Sequence, residues 1–112
     1  MEFQKHFKTY FLKEARRFIH SLDHKTRKKI LFNIYCVEHQ ADVELFKKLN
    51  NEIWEFRTRY AGMQVRLLAF WHKKSGEETQ VIITHGFIKK TWKIPGKEIK
   101  KAESIMSKFL LQ

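Results

Sequence analysis

The chain has 112 residues, with 23 Lys and Arg against 12 Asp and Glu and a formal net charge of +11. That length holds one modest core and excludes two full domains, so residues 1–112 read as a single domain. A hydrophobic share of 43% and an aromatic share of 14% exclude a disordered tail, and the cationic surplus points to a polyanionic partner without specifying a fold.

Residues 2–7, EFQKHF, alternate weakly and predict a first edge strand. From Thr9 to Leu22 the apolar positions Phe11, Ala15, Phe18, Ile19 and Leu22 recur at helical spacing. Asp23 suits an N-cap, and HKTRKKILFNIYCVEHQ resumes the same period through Ile30, Ile34 and Val37. The two helices therefore form a hairpin with a very short joint. DVELFKKL predicts a short third helix or a turn. In IWEFRTRY, Trp54, Phe56 and Thr58 alternate with Glu55, Arg57 and Arg59, the period of a sheet with one buried face.

YAG supplies a turn, and QVRLLAFWH is apolar on both faces except at Arg66, as a central strand should be. KKSGEE is a polar loop, and TQVIITH is rich in β-branched residues. These three strands are expected as an antiparallel meander. Pro95 stands in the first turn of a closing helix whose stripe is Ile99, Ala102, Met106 and Phe109. The expected class is α+β, with helices on one face of a small sheet and a polar opposite face.

Cys36 is the only cysteine, so it forms no internal disulfide and reads as core or boundary filling. The opening MEFQKHFKTY carries charges where a secretory leader needs an apolar stretch. No apolar run nears the roughly 20 residues of a membrane span, and a soluble, cytoplasmic protein is expected.

Arg66 is the first candidate for chemistry. A guanidinium flanked by Val65, Leu67 and Leu68 is either paired across strands with Glu55 or turned to a wet concave surface. In the second case its bidentate fork suits a phosphate. Arg57 and Arg59 lie on the charged parity of the preceding strand, and hairpin register decides whether they share a face with Arg66. His85 ends a strand just before Gly86. It is either structural or, beside cations that disfavour its protonated form, a proton-transfer group near neutrality. Lys89, Lys90 and Lys93 surround Trp92, either as a solvated face or as a basic groove with a stacking ring.

The sequence contains no Walker loop, dinucleotide glycine fingerprint or serine elbow. His20 and His24 are spaced i,i+4 but have no third ligand near them in sequence. Any catalysis is expected to proceed without a metal or cofactor.

IWEFR, then QVRLLAFW, then VIITHGFIKKTWKIPGKEIKKA, preceded by SLDHKTRKKIL, resembles the phage-derived, HigB-like branch of the RelE/ParE toxin superfamily. The likeness runs over nearly the whole chain, and the segment from Thr84 to Ala102 is its specific part. It implies a RelE-like fold: an N-terminal helical hairpin on a small, mainly antiparallel sheet, with a C-terminal helix. It further implies the toxin of a type II toxin–antitoxin pair, an endoribonuclease that cuts translated mRNA on the ribosome. The implied partners are the ribosome, mRNA and a small helix-turn-helix antitoxin.

On that resemblance Arg57 and Arg66 match the arginines of the two strand motifs, and imply phosphate binding and transition-state stabilisation. Lys89 and Lys90 match the lysine pair after the Gly-Phe step and imply RNA contact, with Arg59, Trp92 and Lys93 beside them. His85 matches the histidine before that glycine and implies proton transfer. Phe70 and Trp71 replace a tyrosine-bearing pair of many relatives, and Trp92 replaces a common glutamine; Tyr60 and His72 are substitute proton carriers. The competing reading is a non-catalytic binding module on the same scaffold, such as a ParE-like gyrase inhibitor.

Overall fold

The structure, a computed structural model, describes residues 5–40 and 42–112. Among the described residues the order is β1 (Lys8–Phe11), α1 (Lys13–Ser21), α2 (His24–His39), β2 (Phe46–Lys48), β3 (Trp54–Tyr60), β4 (Met63–His72), β5 (Gln80–Ile88) and α3 (Gly96–Leu110). The strands form one sheet in the order β1-β5-β4-β3-β2, antiparallel except for the β1–β5 pair. No helix is long and apolar enough to cross a membrane among the described residues.

The expected class holds: α+β, with an N-terminal helical hairpin, a central meander and a closing helix. Three expectations change. The first strand is Lys8–Phe11, within the stretch predicted to begin a helix; of the predicted 2–7 strand, residues 2–4 lie outside the described residues and 5–7 precede β1. Thr9 to Phe11 lies parallel to Val81–Ile83, so sheet pairing overrides the helical spacing of Phe11 with Ala15. The DVELFKKL segment is a turn followed by β2, which pairs Phe46 with Phe56 on the far edge. Pro95 is the N-cap of α3, and the helix proper starts at Gly96.

A further change concerns the faces. Ala15 and Ile19 of α1, with Ile30, Ile34 and Val37 of α2, pack on Val65, Leu67, Ala69, Val81 and Ile83. The opposite face is not polar throughout. Ala102 and Met106 of α3 cover Leu68, Phe70 and Ile82 there, with Phe109 packed alongside. Both faces of β4 and β5 are therefore buried over their middle, as the apolar run of β4 requires. The β3–β4 end, with Arg57, Arg59 and Gln64, keeps an open polar face beyond α3.

Two local devices set that layout. Ala61 and Gly62 both take positive φ (51° and 78°), the two-residue turn whose twist matches paired strands, and Tyr60 then faces Met63. In β5, Leu68 pairs with His85 but Ala69 pairs with Ile83, so Thr84 is a bulge residue. Its buried hydroxyl lies 3.1 Å from the Leu68 carbonyl, as a donor to it. Before the bulge Val81 and Ile83 face the helical hairpin; after it Phe87 packs with the α3 cluster and Gly86 faces α1.

At Gly86 the Phe18 ring of α1 occupies the space a Cβ would need, and the Leu67 side chain crowds it from the sheet. Glycine is required here for close approach of helix and strand. Gly86→Ala should lower stability by about 1–3 kcal/mol, the usual cost of overpacking a tight core, measured by urea unfolding. An unchanged midpoint would show that Phe18 yields freely.

Candidate functional site: a cationic groove on the open end of the sheet

Register decides the site. Arg57 lies directly opposite Arg66, and Arg59 opposite Gln64, so all four side chains rise from one face of the β3–β4 hairpin. Two like charges placed opposite each other repel, and Glu55 supplies the compensation. Its Oε1 sits 2.9 Å from Arg66 Nε, with both side chains almost fully buried. The contact is close but out of line for a hydrogen bond, so it acts as an ion pair. The guanidinium completes its shell by donating from Nη1 to the Val65 carbonyl (3.0 Å) and from Nη2 to Gln64 Oε1 (3.1 Å).

Arg66 is thus a buried strut under the groove, with Glu55 as its counter-charge. Burial pushes its pKa down from the ordinary arginine value, Glu55 pushes it back up, and the Arg57 and Arg59 charges lower it again. An arginine so placed stays protonated. Both structural options raised by the sequence meet in one residue: it is paired across the strands and also underlies a concave surface.

Arg57 and Arg59 are more open to solvent than Arg66. Together with Gln64, Arg66, Lys89, Thr91 and Trp92 they line a hollow of about 390 Å³. A second hollow of about 190 Å³ adjoins the same arginines and is walled by Glu44 and Leu45. The backbone N–H of Lys89 donates to the Gln64 carbonyl at 2.7 Å, which ties the end of β5 to the start of β4. Trp92 follows on the loop before α3, 92% exposed, an indole held in water at the rim of the cations.

The expected residues divide accordingly. Arg57, Arg59, Arg66, Lys89 and Trp92 come together. Lys90 and Lys93 are exposed on the same loop but line neither hollow. Tyr60 lies over a different concavity with Lys25, Lys28, Lys29 and Phe32, and His72 contacts Gln80 and the Phe109 ring away from the arginines. Gln64, Thr91 and Glu44 join the site without having been singled out. The signal for Gln64 was its i−2 position on the strand of Arg66, which places both on one face.

His85 is 2% exposed and turns inward. Its Nδ1 lies 3.0 Å from the Thr84 hydroxyl and its Nε2 3.3 Å from Glu98 Oε1 in the first turn of α3. Burial pushes its pKa below 6.5, against the raising effect of Glu98; Lys101 lowers it further, and Glu98 and Glu14 charges raise it. Thr84 directs its one hydrogen at the Leu68 carbonyl and so accepts from Nδ1–H, while Nε2 faces the Glu98 carboxylate and donates to it as well when the ring is protonated. Lys101 in turn pairs with Glu14 of α1 at 2.8 Å. The histidine thus belongs to a polar junction of α1, β5 and α3.

A histidine whose folded pKa is depressed binds its proton more readily when unfolded. Stability from this source is full above the unfolded value near 6.5 and falls as pH drops through it. The melting temperature should therefore decline from pH 7.5 to 5.5 by more in the native chain than in His85→Gln. Equal slopes in the two proteins would remove His85 as the cause.

The comparisons with known proteins agree with this architecture. No curated protein matches the chain. A chain of the toxin–antitoxin complex RelBE2 from Mycobacterium tuberculosis is similar in fold, with a TM-score of 0.54 at 19% identity. That match covers 74% of this chain and 98% of the other. The model of the phage-derived Gp49-like proteins (DUF891) matches residues 17–107, from the first helix to near the end of the last. With most of its length so matched, the chain belongs to the phage-derived Gp49-like family.

Proposed function

We propose that this protein is the toxin of a type II toxin–antitoxin pair of the RelE type, in its HigB-like branch, and that it cleaves mRNA on the ribosome. One observation carries the reading. At the β3–β4 end of the sheet, the face turned away from α2 holds Arg57, Arg59 and Arg66, beside Lys89 and Trp92. Membership of a phage-derived family and the fold shared with a chain of a toxin–antitoxin complex support it.

Cleavage by a ribose 2′-OH attacking its own 3′-phosphate accumulates negative charge on the phosphorane. Fixed cations aimed at those oxygens stabilise that charge. Arg57 and Arg59 are the solvent-facing donors, Lys89 adds a mobile one, and Arg66 holds the floor from below. Trp92 offers a stacking face for a base, and the net charge of +11 favours ribosomal RNA. His85 contributes by fixing the start of α3 near the groove. The implied partner is an antitoxin encoded beside the toxin, of the helix-turn-helix class.

A second reading has its own support. The side chains lining the larger hollow are Arg, Gln, Lys, Thr and Trp, a set with no carboxylate or imidazole. A module that binds RNA or a protein without cutting it needs no more than these.

Induced expression followed by mapping of mRNA 5′ ends separates the two. Cuts confined to translated codons are expected, and Arg57→Ala should reduce them on the order of 100-fold with the fold intact. Growth arrest with intact mRNA would reject the nuclease and leave the binding module. Arg66→Ala is a poorer probe because it strands Glu55 as a buried charge, at a cost of about 3–5 kcal/mol. Affinity for ribosomes should also fall steeply with salt, by about 0.7 log units per log unit of salt for each single-strand phosphate neutralised. A flat profile would count against any polyanion.

A further inference from the structure

Gln64 is the neutral side chain shared by both hollows of the cationic groove. Its side-chain amide is 3.1 Å from Arg66 Nη2. A guanidinium only donates, so the atom facing it is the amide oxygen, and the flip of the amide is settled by chemistry. Arg66 is itself immobile, held by Glu55 and the Val65 carbonyl in a nearly dry site. The oxygen of Gln64 is therefore engaged from below, and the amide N–H groups remain for a ligand.

We propose that the groove contains a base-recognition subsite in which Gln64 presents its amide N–H groups to the base edge. It selects nucleotides with a keto oxygen, guanine or uracil, over those carrying an exocyclic amine at the same place, adenine or cytosine. The inference rests on the RNA reading given under Proposed function and names its substrate preference. A free glutamine can turn its amide to give adenine one donor and one acceptor. Pinning the oxygen on Arg66 occupies one of its two lone pairs and prevents the amide from turning over, so an amine presented to the NH2 side of Gln64 meets another donor.

Thr91 directs its hydroxyl hydrogen at the Lys93 carbonyl (2.6 Å), Glu44 lines only the smaller hollow, and the remaining groups do not discriminate in this way. Arg57, Arg59 and Lys89 answer to phosphate, which every nucleotide carries. Trp92 offers a π-face, which every base satisfies. Selectivity for the base edge falls to the side chain whose hydrogen-bonding sense is fixed.

The test is fluorescence anisotropy of the full chain with short, labelled RNA oligonucleotides. Uridine and cytidine oligomers share ring size and differ in keto oxygen or amine; a mixed oligomer carrying one inosine or one adenosine repeats the comparison in a purine. Uridine should bind more tightly than cytidine, and inosine more tightly than adenosine, by about three- to tenfold, one hydrogen bond's worth. Gln64→Glu still accepts from Arg66 but offers no donor, and should abolish or reverse the ratio. Gln64→Met should bring it to about one. Equal binding of keto and amino oligomers, or a ratio that survives in both variants, overturns the subsite while leaving RNA binding in place. Failure of every oligomer to bind overturns the subsite and the RNA reading together.

Discussion

The cationic end of this molecule depends on the register of a single hairpin. In a β-sheet side chains alternate faces with a period of two, so a slip of one residue between β3 and β4 would exchange the charged set for the apolar one. The turn at Ala61 and Gly62 prevents that slip, since two successive positive φ angles allow one compact connection between Tyr60 and Met63. Ala61 adopts a conformation that costs a non-glycine residue about 1–2 kcal/mol. The sheet can bear that cost because Phe56, Thr58, Val65 and Leu67 are buried in the same register.

Register also creates a difficulty, which buried electrostatics resolves. Placing Arg57 against Arg66 brings two guanidiniums together on a surface that is partly dry. Glu55, two residues along the same strand face, neutralises the deeper of them. The consequence is a division of labour between arginines of like appearance. One is spent on structure, with its donors directed at Glu55, Val65 and Gln64, and two remain open to solvent.

Most of the element order was legible in the sequence because periodicity and turn chemistry agreed. The α2 helix and strands β3, β4 and β5 follow from spacing alone, and Ala61-Gly62 and Pro95 mark their ends. Two short strands were not legible. Lys8–Phe11 and Phe46–Lys48 span less than a helical turn or little more, too short for period two to stand apart from period 3.6. Their conformation comes from neighbours distant in sequence. The cover over the second sheet face was missed for a related reason: the α3 stripe was visible, but a stripe does not say which face of a sheet it will meet.

In the site, residue types were legible and directions were not. Arg57, Arg59 and Arg66 announced themselves as charges in strands. The inward turn of His85 depends on the Thr84 bulge, which no composition rule signals.

That bulge has a consequence for how this chain can vary. Because Thr84 adds one residue to β5, the segment His85-Gly86-Phe87-Ile88 is written in the opposite phase from Val81-Ile82-Ile83. Flattening the bulge at constant length would not merely straighten the strand. It would push the Phe87 ring toward α1, where Phe18 leaves room only for a glycine, and would carry His85 away from Glu98. Point substitutions along β5 can be absorbed one at a time, and deleting Thr84 itself leaves Ile83 on Ala69 and His85 on Leu68, whereas a length change elsewhere in the strand inverts every position beyond it. Length in this stretch is therefore constrained more tightly than identity at every position but Thr84, the one place where the strand can lose a residue without turning its neighbours over.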